Sequence, residues 1–346
     1  MSLKTYANWP QGGSDVQYAA LKEVLDRAPA HVCLDIATDK RTHSRKSGAG
    51  INLRRWVNPA IDSTALSPEG SNPAARAIVP QDYTGTVSRY AVLYSVSRFD
   101  YDLSPWDAVK GASEVLADHD IPGMRERIRY NAGKSITSVY YNSAAITART
   151  SVNGSISLGR LQAAVRQIRG YKGEYFKGNE AGQARDGTAP VENALYAFCS
   201  SDLEPDLRLI PGFKTCAEYP SGKGLPHEFG AVQNVRFFTN PDYVPYANGG
   251  AASTSLISTG VSGSTSGSAD VYPIILLAKH ALTSIALGGG GREGFGNAKV
   301  NVIDGRDSGD PTGERIYVEA DWYDLCVVTS NEWGAVIEVG ATRNPT

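Results

Sequence analysis

Alternation of hydrophobic and polar residues is the strongest local pattern in the first third of the chain. In residues 84–97, Tyr90 and Val92 fall on one face of an extended segment and Leu93 on the other. Together with residues 50–57, this pattern predicts the two strands of a long hairpin. A hairpin of this length cannot bury both faces by itself, so we expect another surface to cover it, most naturally a neighbouring copy of the chain.

Helical periodicity follows the hairpin and gives way to short strands. A first helix is predicted over residues 14–27, and another begins at Pro105. Pro122 indicates a restart that leads into a helix of about 20 residues. Apolar residues on one side of 159–170 predict a further helix. The remaining sequence predicts strands at 191–200, 234–239, 272–278, 315–320, 324–329 and 334–341.

Length and composition suit two compact regions with extensions. The chain has 346 residues, of which 41% are hydrophobic and 20% charged. The first residues contain no apolar core of a signal peptide, and no uncharged apolar run reaches the roughly 18 residues that a membrane span requires. We therefore expect the protein to stay in the cytoplasm where it is made, without a membrane partner. Residues 248–270 are mostly Gly, Ser and Thr, which predicts a flexible surface loop.

The net charge of −2 hides an asymmetry between the two halves of the chain. Residues 1–170 carry 21 Lys and Arg against 15 Asp and Glu, a net of +6, and the remainder carries −8. Between 121 and 170 the only acidic residue is Glu126. Such a basic segment favours docking on an acidic region of another copy or on nucleic acid, with a solvated helix face as the plain alternative. The basic candidates that we single out are Arg125, Arg129, Lys134, Arg166 and Arg169.

No motif predicts catalysis, a cofactor or a metal site. Four scattered cysteines form no C-x-x-C pair and are expected to be buried thiols. The sequence Gly133-Lys134-Ser135 lacks the preceding glycine of a phosphate-binding loop, because residue 128 is Ile128. The glycine-rich segment 288–297 is interpreted as a mobile loop between two strands, with phosphate binding as the alternative. The aspartate-rich segment 304–310 is interpreted as a turn, with a bound cation as the alternative.

Five segments, taken in order, resemble one protein family. They are ISLGRLQAAVRQIRGYK (156–172), LEPDLRLIPGF (203–213), GLPHEFGAVQNVRFFTNPDY (224–243), VYPIILLAKHAL (271–282) and DPTGERIYVEADWYDLCVVTSNEWGAVIEV (310–339). This order and spacing resemble the major capsid proteins of tailed double-stranded DNA bacteriophages, in particular the N4-like family, which has the HK97-like capsid fold.

The resemblance implies an α+β fold with four parts. These would be an N-terminal arm (1–40), an extended β-hairpin loop (41–103), a peripheral domain with a spine helix (104–154 and 271–346) and an axial domain (155–270). It implies a non-enzymatic subunit, without cofactors, that self-assembles into hexamers and pentamers of an icosahedral shell around double-stranded DNA. Portal, scaffolding and decoration proteins would be further partners, and assembly in the host cytoplasm would place the chain in the virion.

Two expectations follow from combining this layout with the residues. Some capsids of this fold join subunits covalently through a lysine of the extended loop, but the body of the predicted hairpin offers no amine, because no lysine occurs between Lys46 and Lys110. We therefore expect no such cross-link. If the spine helix lines the shell, Arg125 and Arg129 would face the DNA or a neighbour. Alternatives are another virion part, such as a tail or decoration protein, or a β-rich carbohydrate-binding or hydrolytic protein, motivated by 18 tyrosines and 5 tryptophans.

Overall fold

The computed structural model describes residues 32–57, 77–103, 108–176, 193–219, 224–258, 268–288, 299–304 and 312–344. These residues form two large β-sheets, a two-stranded hairpin and helices packed against the sheets, which is an α+β architecture. The predicted helix at 14–27 and most of the two loops at 288–297 and 304–310 lie outside the described residues.

The strands are β1 (Thr38–His43), β2 (Gly50–Trp56), β3 (Pro80–Thr86), β4 (Ser88–Ser97), β5 (Val139–Tyr141), β6 (Leu195–Ser200), β7 (Phe213–Thr215), β8 (Glu228–Val232), β9 (Val235–Asn240), β10 (Tyr272–Leu277), β11 (Leu282–Leu287), β12 (Lys299–Asp304), β13 (Arg315–Val328) and β14 (Gly334–Val339). The helices are α1 (Arg98–Leu103), α2 (Ala108–Val115), α3 (Ile121–Lys134), α4 (Leu158–Gly170) and α5 (Glu204–Arg208).

A seven-stranded sheet with the order β5-β14-β10-β6-β9-β8-β7 forms the centre of the fold. Its middle strands are buried on both faces, so they are nearly continuous runs of hydrophobic residues. Leu195 and Ala197 pack towards α4, whereas Tyr196 and Phe198 pack towards α3. The sheet is therefore sandwiched between two helices. β6 lies in the predicted axial domain and β10 in the predicted peripheral domain, yet the two strands pair directly. The predicted boundary between residues 270 and 271 therefore separates strands of one sheet.

The second sheet is built around the 14-residue strand β13. β4 pairs along one edge of β13, and β12 and β11 follow one another along the other edge. β1 then pairs with β11 in parallel. The inner face of this sheet packs on α2 and the start of α3 through Leu116, Ile121 and Trp322. The sequence predicted two strands, 315–320 and 324–329, but a single strand spans both, because β4 pairs with it without interruption from Arg315 to Asp324.

One helical stretch runs from α2 to α3 without the break that Pro122 suggested. A π-helical turn, Leu116–Asp120, joins the two helices. Proline lacks an amide proton and cannot make the normal helical hydrogen bond, and a wider turn accommodates this. The helix ends at Lys134, short of the predicted length of about 20 residues, because Val139–Tyr141 forms strand β5 beside β14.

The predicted hairpin is divided in two at Val87. β2 pairs with β3, from Gly50 opposite Thr86 to Trp56 opposite Pro80. β4 instead pairs with β13 over ten residues. The prediction that 84–97 is one hairpin strand is therefore wrong. Tyr90 and its alternate neighbours pack beside Trp322, with ring centroids 6.3 Å apart, and this burial keeps β4 in the sheet.

Candidate functional site

Two of the five basic candidates lie in the interior. Arg125 and Arg129 are only 2% and 1% exposed. The Nε atom of Arg125 lies 3.0 Å from Oδ2 of Asp324, and Nη1 of Arg129 lies 2.7 Å from Oδ1 of Asp35. Arg129 also donates to Oγ of Ser284. A surface role for these two residues is contradicted, because their shared helix face is turned towards β11 and β13 and buried charges require such partners.

Glu126 extends this buried network to two further segments. Its Oε1 atom accepts a hydrogen bond from the backbone N–H of Leu34, and its Oε2 atom accepts one from the hydroxyl of Tyr243, both at 2.8 Å. Burial raises the pKa of Glu126, and the cation of Arg129 opposes that shift. The network therefore ties the turn at 33–37 to α3 and to the loop after β9.

Sequence reasoning missed the acidic half of this network. One signal was present: Asp324 occupies an inward position of β13, where residues 316–328 alternate, and an acid at such a position needs a buried cation. Asp35 and Glu126 offered no comparable pattern. The sequence assigned residues 1–40 to an N-terminal arm. In the structure, residues 32–40 of that segment pack on their own chain through Leu34 and strand β1.

The other three basic candidates are accessible to different degrees. Lys134 is half-buried at the end of α3, where Nζ donates to the carbonyl of Val244. Burial, aided by the nearby Arg149 cation, lowers the pKa of Lys134 to about 8. Arg166 and Arg169 are exposed on α4, and the Arg169 guanidinium lies 4.3 Å from the ring centroid of Tyr175. The five candidates thus form no single surface.

The thiols of the described part of the chain are held in their protonated form. All four cysteines are free, and burial raises the pKa of each thiol, that of Cys326 to about 12. Thiols held protonated in this way are poor nucleophiles. Among the described residues, no group of three or more His, Cys, Asp or Glu side chains could hold a metal ion. No described helix is long and apolar enough to cross a membrane.

The β2–β3 hairpin is covered by its own chain. Alternate residues of β2 and β3 are half-buried on one face, and Gly85 lies directly over Leu325 and Val327 of β13. The Arg55 guanidinium stacks 3.7 Å from the ring centroid of Trp333 and donates to Oγ of Ser330. The outward face of β13 therefore covers the hairpin in this structure, where the sequence suggested a neighbouring copy.

Large apolar side chains remain exposed at the far end of the hairpin and beside the second sheet. Trp56 is 57% exposed and Ile78 is 67% exposed, next to the similarly exposed Val79. Apolar surface of this kind, rimmed by polar residues, is typical of protein–protein contacts. The comparable residues beside the second sheet are Leu93, Phe99, Leu103 and Ile303.

Comparison with known proteins finds a likeness in fold but no match in sequence. No protein-family model matches the sequence, and no curated protein matches it. Solved structures of phage heads do match. A chain of the Helicobacter pylori bacteriophage KHP40 head matches with a TM-score of 0.56 and 12% identity over 91% of each chain. A chain of the Ralstonia phage GP4 capsid matches with a TM-score of 0.54 and 14% identity, over 89% of this chain and 87% of that one.

The chain has an HK97-like capsid fold. A chain of the cyanophage Pam1 capsid matches over 92% of this chain and 93% of that one, with a TM-score of 0.54 and 10% identity. The likeness thus extends over both sheets and the helices between them, not over one motif. The fold class expected from the sequence is confirmed. At identities of 10–14% the likeness concerns the fold.

Proposed function

We propose that this chain is the major capsid protein of a tailed bacteriophage and that its copies assemble into an icosahedral shell. One observation carries the proposal: the capsid fold accounts for about nine-tenths of this chain and of the capsid chains that it matches, including those of GP4 and Pam1. A single-domain resemblance would leave other roles open, whereas agreement over the full length favours the same role. The exposed apolar residues Trp56 and Ile78 give such a subunit surfaces for self-association.

The finer expectations belong to the same proposal. The subunits would form hexamers and pentamers that enclose double-stranded DNA, in a phage of the N4-like group, with portal, scaffolding and decoration proteins as partners. The protein would be assembled in the host cytoplasm and reside in the virion. It would act through non-covalent contacts and not as an enzyme. The buried thiols of Cys33, Cys199 and Cys326 are consistent with this structural role.

The accessible basic residues supply the proposed contact with DNA. Arg166 and Arg169 are exposed three positions apart on α4, and Lys134 is partly accessible. Exposed arginines neutralise phosphates and strengthen binding at low salt. We expect the double change Arg166→Glu and Arg169→Glu to leave shells intact but to reduce genome retention, with Lys110→Glu as an exposed control. Loss of assembly would instead assign the pair to a subunit interface, and normal retention would contradict the DNA contact.

Electron microscopy of the purified protein, with sedimentation analysis over a range of concentrations, tests the main proposal. Closed shells or rings of capsomers are expected. A species that stays monomeric at high concentration and acts on a polysaccharide would overturn the proposal and favour the hydrolytic alternative. Regular tubes without closed shells or capsomer rings would also contradict the proposal and would indicate a tail protein.

A further inference from the structure

The β2–β3 hairpin has one apolar face and one polar face, and the apolar face is the docked one. Ile51, Leu53 and Tyr83 are half-buried, whereas the alternate positions of both strands are exposed. Gly85 approaches β13 so closely that an added Cβ would lie 2.8 Å from Cγ2 of Val327. Any partner that binds the apolar face of the hairpin must therefore displace β13 of the same chain.

Arg55 makes polar contacts that hold this docked face to the rest of the chain. Its guanidinium carbon lies over the Trp333 ring, 3.7 Å from the centroid, and the guanidinium donates to the hydroxyl of Ser330. An oxygen of Glu332 lies 4.0 Å from Nη2. All three partners belong to the short segment between β13 and β14. Stacking, hydrogen bonding and charge attraction thus act on one side chain, and a partly desolvated cation–π contact is stronger than an exposed one.

The neighbouring Arg54 makes a different set of contacts. Its Nε and Nη2 atoms lie 2.7 Å and 2.8 Å from the two carboxylate oxygens of Asp82, directly across the hairpin. This pair is on the exposed face and stays within the hairpin. Arg54 therefore holds β2 to β3, whereas Arg55 holds the hairpin to the body of the subunit.

We propose that Arg55 is a latch that keeps the hairpin on its own subunit, and that this latch opens before the hairpin engages a second copy of the chain. The first half of the proposal concerns the single chain, and the second half rests on the proposed self-assembly. A two-stranded hairpin is marginally stable by itself, so the docked state protects its hydrogen bonds. The hydrogen bonds of β2 are made to β3 and not to either large sheet, so the hairpin can be released without breaking the strand pairing of the two sheets.

Hydrogen exchange in dispersed subunits tests the latch without any assembly. For Arg55→Ala we expect amide exchange in β2 and β3 to become faster by about tenfold or more, because a stacked and hydrogen-bonded arginine is lost. The matched control Arg54→Ala removes the same charge from the adjacent residue and should change exchange by less than about threefold. Exchange in β6 and β10 should be unchanged in both variants. Equal effects of the two changes on the hairpin would overturn the latch.

A reversible disulfide tests whether the latch must open. Gly85→Cys combined with Val327→Cys joins the hairpin to β13, and the neighbouring Cys326 points to the opposite, buried face of the strand. We expect the oxidised double variant to remain dispersed and to form particles after reduction, while the single variant Val327→Cys assembles in both conditions. Normal assembly of the oxidised variant would overturn the requirement for opening. Failure of the unmodified chain to assemble would count against the proposed function alone, because the exchange result stands independently.

Discussion

Replacing Arg129 by leucine is expected to lower the free energy of unfolding by about 3–5 kcal/mol, the usual cost of removing one partner from a buried ion pair. The Arg129 side chain is 1% exposed, and its guanidinium lies 2.7 Å from the carboxylate of Asp35. Leucine leaves no cation at this position and no donor for Ser284. The carboxyl groups of Asp35, Glu126 and Asp324 would then have Arg125 as the remaining cation of the network.

Two effects limit the loss. Burial already raises the pKa of Glu126, so this carboxyl can take up a proton and remove one negative charge. The leucine side chain also adds apolar contact in place of the arginine stem. Both effects are smaller than the cost of removing the buried cation beside Asp35, whose other cationic partner, Lys40, is more exposed and lies 3.9 Å away. We therefore expect the lower part of the range and not a neutral change.

Arg127→Leu on the same helix is the matched control. The Arg127 side chain is 55% exposed, and Nη2 lies 3.7 Å from Asp242, so its replacement should cost less than about 0.5 kcal/mol. Urea unfolding of dispersed subunits, followed by circular dichroism, gives both values. Limited proteolysis should also cleave residues 38–46 sooner in Arg129→Leu, because Asp35 anchors that segment. If the unfolding free energies of Arg129→Leu and Arg127→Leu differ by less than about 1 kcal/mol, the proposed stabilising role of the buried network is refuted.

Three further predictions use other parts of the fold. Because burial raises the pKa of Glu126 above its ordinary value of 4.5, the native state retains this proton to higher pH than the unfolded chain does, and stability falls as the pH rises from 4.5; the stability of Glu126→Gln relative to the parent should therefore increase as the pH is raised from 4.5 in a series of unfolding curves. Denaturing gels of intact particles should show single subunits without a covalent ladder, since no lysine lies between Lys46 and Lys110. Ile337→Ala should cost about 2–5 kcal/mol, and the exposed Ile303→Ala well under half of that, in thermal or urea unfolding.

Local patterns were sufficient for several elements. The helix predicted at 159–170 is observed as α4, because Leu161 and Ile168 lie on one side of it and reach the same sheet. The strands predicted at 272–278 and 334–341 are observed as β10 and β14, whose uninterrupted apolar residues are typical of strands buried on both faces. In these cases the residues that form the element also carry the signal.

Other elements depended on partners distant in the chain. β1, β5 and β11 carry weak patterns and exist because neighbouring strands supply their hydrogen bonds. Sequence reasoning placed Arg125 and Arg129 on the surface because charged residues are seldom buried. Their counter-charges come from Asp35 and Asp324, which are remote along the chain, so no local window contained the pair.

The sequence by itself determined the α+β class, the central buried strands and the resemblance to capsid subunits, since each depends on short-range periodicity or on the order of motifs. Tertiary structure alone decided which strand β4 joins, that Arg129 is a buried anchor, and that the apolar face of the hairpin lies on β13. These outcomes depend on which distant surfaces bury apolar area and satisfy charge together, and a one-dimensional pattern does not contain that choice.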